Sequence, residues 1–109
     1  MKQAINKISY LQVIDAVCDI TQVIPTDIMR SPTKQEVVLA RRICFLILYD
    51  DFRLSTITIG DIFNKDHSTI VVGLRKIREE IAVERFGAIK NIIEKVRNKL
   101  ALNKKVSKL

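Results

Sequence analysis

Two prolines, three glycines and no low-complexity tract leave this 109-residue chain little material for long loops. Two cysteines, Cys18 and Cys44, stand far apart with no CxxC spacing. With the single histidine, His67, they supply three metal ligands at best, without zinc-site spacing. A disulfide framework and a structural metal are therefore not expected, and no cofactor is implied. The longest apolar run, Ile43 to Tyr49, is too short to cross a bilayer, and the N-terminus has no secretory apolar region. Buried free thiols and a cytoplasmic location are the expectation. Alternation of apolar and polar residues is also missing. Val, Ile and Leu recur instead at steps of three and four, the helical period.

At 48% hydrophobic and 28% charged, the composition is that of a globular protein, and the length suits one domain with one core. The net charge of +7 is unevenly placed. Residues 85–109 hold eight basic side chains against Glu94 alone, while residues 1–84 balance eleven basic with eleven acidic. A polyanion would feel the C-terminal quarter most strongly, and a solubilising lysine-flanked end is the competing explanation.

The periodicity predicts an all-α domain, with its core over about 8–100 and a basic tail at 101–109. A first helix from Gln3 to Thr21 places Ile5, Ile8, Leu11, Ile14 and Val17 or Cys18 on one face. Pro25 stops regular structure, and Thr26-Asp27 looks like the cap of a short turn over Asp27–Met29. Thr33 is a candidate cap for the next helix, from Lys34 or Gln35 to Asp51, with Glu36 at its third position. That helix is apolar nearly all round and suits the centre of a bundle. Ser55, Thr56 or Thr58 caps a short helix ending at Phe63. A turn at 64–66 leads to a helix from His67 to Val83 or Glu84. After a break at Gly87, a helix from Ala88 to about Asn103 carries Phe86, Ile89, Ile93, Val96 and Leu100. Its spacing fits docking on the core, or a seam for a homodimer or another protein partner.

Two helices joined by a short polar turn, the second opening on Lys65-Asp66-His67-Ser68-Thr69, have the form of a helix-turn-helix. Aspartate accepts from the cytosine amine, serine and threonine donate or accept, and a threonine methyl packs on thymine. Lysine beside them finds phosphate. Consecutive Asp66, His67 and Ser68 diverge and cannot form a catalytic relay, so no enzymatic activity is expected.

Phe63-Asn64-Lys65-Asp66-His67-Ser68-Thr69-Ile70, followed by Leu74-Arg75-Lys76-Ile77, resembles the signature of the C-terminal DNA-binding domain of bacterial DnaA replication initiators. Ile59-Gly60-Asp61-Ile62-Phe63 and Leu39-Ala40-Arg41-Arg42-Ile43 are similar to that family's upstream elements. So are Val17-Cys18-Asp19 and Asp27-Ile28-Met29. The resemblance implies double-stranded DNA as partner, with Asp66, His67, Ser68 and Thr69 facing major-groove bases. It implies backbone contacts from Lys65, Arg41, Arg42, Arg75 and Lys76, with Arg30 and Lys34 in the loop before the central helix. Arg41 and Arg42 have ion pairs with Glu36, Asp50 or Asp51 as a competing use. Asn64 replaces a Gly-Gly pair with one residue fewer, which tightens the turn, and Val72-Gly73 stand where the family often has His-Ala. The chain has no GxxxxGK[ST] segment, so ATP hydrolysis is not expected of it. Met1 and the lysine-rich end suggest a small stand-alone relative.

Overall fold

A helix that is apolar on every side has to be surrounded, and α3, Gln35–Asp50, is that helix. Val37, Ala40, Ile43, Cys44, Phe45, Leu46, Ile47 and Leu48 are all buried, covering more than half of its circumference. In a computed structural model that describes residues 2–30 and 33–108, with side-chain surroundings for 10–30 and 33–101, it packs against four other helices. These are α1 (Lys2–Thr21), α2 (Pro25–Met29), α4 (Thr56–Phe63) and α5 (His67–Val83). The sixth, α6 (Ala88–Lys108), docks on α1. The described residues contain helices and no strands, so the all-α expectation holds.

Helix α1 buries Val13, Ile14, Ala16, Val17 and Cys18. Ile5 and Ile8 lie outside the described side chains. Leu11, expected on the buried face, is 59% exposed. It sits on the flank of the stripe centred on Val13 and Val17, over an open groove it shares with Pro25. Pro25 starts a helix rather than stopping one. At the first helical position its missing N–H costs nothing and its fixed φ suits the turn. Ile24 is the N-cap residue, without a side-chain bond, so Thr26-Asp27 do not cap α2. Thr33 does not cap α3 either. Lys34 takes the N-cap conformation (φ −60°, ψ 135°), which leaves Thr33 one place outside the helix and Glu36 at its second position.

The start of α6 is held from upstream. Across the turn made by Gly87 at φ +69°, the Glu84 carboxylate accepts from the backbone N–H groups of Ile89 (2.8 Å) and Lys90 (3.0 Å). Ile93 and Val96 are buried, and Ile89, Ile92 and Leu100 pack partly against the core. Docking is therefore the use the fold makes of this face. Phe86 is not on it. It belongs to the connection at 84–87, where helical spacing does not apply, and is 88% exposed. The helix also continues to Lys108, beyond the expected end near Asn103. Two cations of the basic quarter are tied inward: Arg97 to Asp51 at 2.8 Å and Lys99 to Asp19 at 2.7 Å. Such exposed pairs set orientation more than they add stability.

One charge lies inside. Arg41, expected at phosphate, is only 7% exposed. Its Nε donates to the carbonyl of Ile28 (2.8 Å), and one terminal nitrogen donates to those of Asp27 (3.2 Å) and Arg30 (2.7 Å). The reason is positional. Arg41 leaves α3 on the side covered by α2, whose last carbonyls need donors. A planar fork of fixed N–H groups supplies them. None of Glu36, Asp50 and Asp51 is its partner in these bonds.

Cys18 and Cys44 are free and buried. Burial, reinforced by Asp15, pushes the Cys18 thiol up to about 11, and burial raises Cys44 as well. Among the described residues no helix is long and apolar enough to cross a membrane.

Replacing Arg41 with Ala should cost about 3 kcal/mol, because one buried and two part-buried carbonyls lose a charged donor. In thermal unfolding that is a fall of roughly 12 °C in Tm, and Arg41→Lys should recover only part of it. A thiol-reactive disulfide reagent at pH 8 should label neither cysteine in the folded protein, for want of thiolate and access. Both should react in urea.

Candidate nucleic-acid interface

The first turn of α5 is placed by α4 and by α3 behind it. Ser55 caps α4: its Oγ accepts from the Thr58 N–H at 3.1 Å, as one of the three expected candidates. Ile59 and Phe63 on the inner face are buried, and the Phe63 ring meets Phe45 of α3 edge-to-face at 5.1 Å. The chain then turns within three residues. Asn64 adopts the left-handed conformation (φ 54°), which asparagine tolerates better than most side chains. The Lys65 N–H returns to the Gly60 carbonyl at 2.8 Å.

Gly60 is required by this turn. A Cβ there would lie 2.6 Å from the Lys65 carbonyl oxygen, a backbone atom that cannot move aside alone. The approach at Gly73 is less severe, a Cβ there standing 3.0 Å from the Phe45 ring, a side chain. With Ile70, Leu74 and Ile77 buried beside it, α5 is pressed against α3 along its inner side.

Asp66, His67, Ser68 and Thr69 are all exposed, Asp66 at the N-cap and the others in the first turn of α5. The side chain of Asp66 is 75% exposed and that of His67 58%. Asp66 holds the N-cap conformation but its carboxylate bonds no helix N–H. It accepts instead from Ser68 Oγ at 2.7 Å. With the serine proton given to Asp66, the pair offers mainly acceptors to whatever approaches.

Behind them lies a cleft of about 340 Å³ between α3 and α5. Arg41, Arg42, Lys65, Ser68 and Thr69 line it, with Phe45, Val38, Val72 and Gly73 as its apolar floor and wall. Partial burial, then the nearby charge of Arg41, lowers the Lys65 pKa. The cations and the helix N-terminus together give this end a positive potential. Arg42 sits 3.5 Å from Glu80, the acidic partner found in place of Glu36, Asp50 or Asp51. Asp50 pairs with Arg78 at 2.7 Å. Arg75 and Lys76 are exposed further along α5. Arg30 and Lys34 are exposed on either side of residues 31 and 32, which lie outside the described residues.

Residues 11–77 match the family model described as the bacterial dnaA protein helix-turn-helix. The chain belongs to that family. It is 35% identical over 72 residues to the chromosomal replication initiator protein DnaA of Leptospira biflexa, covering 66% of this chain and 16% of that protein. To the protein of the same name from Campylobacter jejuni it is 30% identical over 104 residues, 92% of this chain and 22% of the relative. The chain thus spans about a fifth or less of the length of these DnaA proteins. In this DnaA-type domain α4 and α5 are the helix-turn-helix pair, and the module is of the DNA-binding class.

Two parts of the site were not assigned from sequence. Gly60 belongs to the Ile59–Phe63 motif, whose likeness gives it no task; its task is the close approach of two backbones. Glu80 lies far from Arg42 along the chain, and only the packing of α5 on α3 brings them together. Gly60→Ala should lower stability by about 2 kcal/mol through backbone overpacking. Chemical denaturation would measure it, and an unchanged midpoint would contradict the close approach.

Proposed function

We propose that this domain recognises a specific duplex DNA element of the kind bound by DnaA initiators, a DnaA-box-like site, and acts in replication initiation or its regulation. The observation that carries the proposal is the exposed quartet Asp66, His67, Ser68 and Thr69 at the positive end of a helix whose other side is buried. An α-helix fits the major groove, and entering N-terminus first brings that quartet to the base edges. The Asp66–Ser68 pair, rich in acceptors, suits the exocyclic amines of cytosine or adenine. His67 adds one donor or one acceptor and an apolar ring edge. Thr69 adds a hydroxyl and a methyl.

Lys65, Arg42, Arg75 and Lys76 flank this end and would meet phosphates, with Arg30 and Lys34 reaching the backbone from the loop before α3. Arg41 has a different part in this reading. By holding the Arg30 carbonyl at 2.7 Å it positions that loop, and contributes to binding through it. Arg42 would exchange Glu80 for phosphate, or keep it and lend only its field. The proposal is of a binding module, with no catalytic step. The relatives' name, chromosomal replication initiator, supports the replication setting.

Fluorescence anisotropy on a duplex carrying a DnaA-type box, against its scrambled version and over a salt series, tests the proposal. Wild type should prefer the box at moderate salt. Asp66→Ala should shrink that preference, losing about 1–3 kcal/mol of discrimination. Lys76→Ala should weaken both duplexes alike and reduce the slope of log affinity against log salt by about 1. Equal binding of both duplexes by wild type, lost steeply with salt, would leave only unspecific attraction to the basic surface.

A further inference from the structure

Along its first three turns, 67–77, the solvent side of α5 is polar except at two neighbouring places. Val71 is 47% exposed and Val72 37%, among the exposed Ser68, Thr69, Arg75 and Lys76. Neither valine belongs to the core, which takes Ile70, Gly73, Leu74 and Ile77 from this helix. A β-branched residue at an exposed helical position is a poorer helix former than alanine, lysine or glutamate. Helix propensity therefore offers no reason for either.

Helical geometry separates the two. At about 100° per residue, Val72 lies one turn along from Ser68 and on the same side, away from the centre of the buried stripe but bordering the cleft with α3. Val71 lies nearer the edge of that stripe. Val72 also lines the cleft beside Ser68, Thr69, Lys65 and Arg42. It continues the apolar floor of Phe45, Val38 and Gly73 out to the rim, where these hydrogen-bonding groups and cations stand beside it. A protein partner with an apolar face would have to cover those cations, whereas duplex DNA brings phosphates to them. The apolar group that a major groove presents between its hydrogen-bonding edges is the thymine C5-methyl.

We propose that Val72 is a specificity-determining residue, packing its methyls on a thymine C5-methyl next to the base pair met by Ser68. The proposal rests on the reading above, in which α5 enters the major groove. It makes the second turn of the helix part of the readout, through van der Waals contact and exclusion of water. A cytosine in place of that thymine lacks the methyl and leaves Val72 facing water or an amine.

The test uses the full chain. Selection from a random duplex library first identifies the preferred sequence. Each thymine in it is then replaced singly by deoxyuridine, which removes the methyl and keeps the base pair. Wild type should lose about fourfold in affinity at one of these positions, the value of one buried methyl. Val72→Ala should bind the thymine duplex about fourfold more weakly and no longer distinguish thymine from uracil at that position. Val72→Ile should restore the distinction. Thermal unfolding of each variant checks that the fold is kept, as the exposure of the side chain leads one to expect.

Wild-type affinity in Val72→Ala would overturn the proposal, as would retained sensitivity to the same methyl. Indifference of wild type to every uracil would do the same. If Asp66→Ala still abolishes the preference in those cases, the groove-reading helix stands and only the role of Val72 fails. If no sequence is enriched, both fail together.

Discussion

The ring of Phe45 is the surface on which the helix-turn-helix is assembled. It stands on α3, takes the edge of Phe63 from α4 at 5.1 Å, and takes the bare backbone of α5 at Gly73. Three helices meet there through carbon–carbon contact, whose energy falls steeply with small displacements. A Cβ at residue 73 would stand 3.0 Å from that ring, so the Phe45 ring would have to give by a few tenths of an ångström. Gly60 adds the second close approach, backbone to backbone, and fixes where the turn leaves α4. The first turn of α5 is thus aimed by packing behind it, which leaves Asp66, His67, Ser68 and Thr69 exposed.

Arg41 shows how a core this apolar accommodates a cation. A buried charge is costly unless hydrogen bonds replace its water, and here the carbonyls at the end of α2 do so. Those carbonyls would themselves be orphaned, because α2 is a five-residue helix with few internal bonds. One side chain satisfies both needs and joins the core to the loop that carries Arg30. Fold stability and the position of that loop are therefore coupled.

The charge distribution divides the molecule. The formal excess of basic residues lies after residue 84, yet Arg97 and Lys99 are drawn against Asp51 and Asp19. At the proposed interface the local charges matter more than the total. Lys65, Arg41 and Arg42 crowd one cleft at a helix N-terminus, although the surrounding residues 1–84 are neutral overall. Long-range attraction and local positioning of a polyanion thus come from different parts of the chain.

By itself the sequence determined the helices, their order, the central place of α3 and the polar cluster that opens α5. Each of these follows from local periodicity and a contiguous motif, as with the Lys65–Thr69 run, whereas Ser55 was one of three candidate caps until the structure chose it. The family resemblance was legible for the same reason, since the motif residues are neighbours in the chain. Tertiary structure alone decided which of two adjacent arginines faces inward, that Glu80 meets Arg42, and that Leu11 and Phe86 stay outside. Those outcomes depend on which element covers a given stretch of helix surface. Periodicity tells which way a side chain points, and it does not tell what stands there.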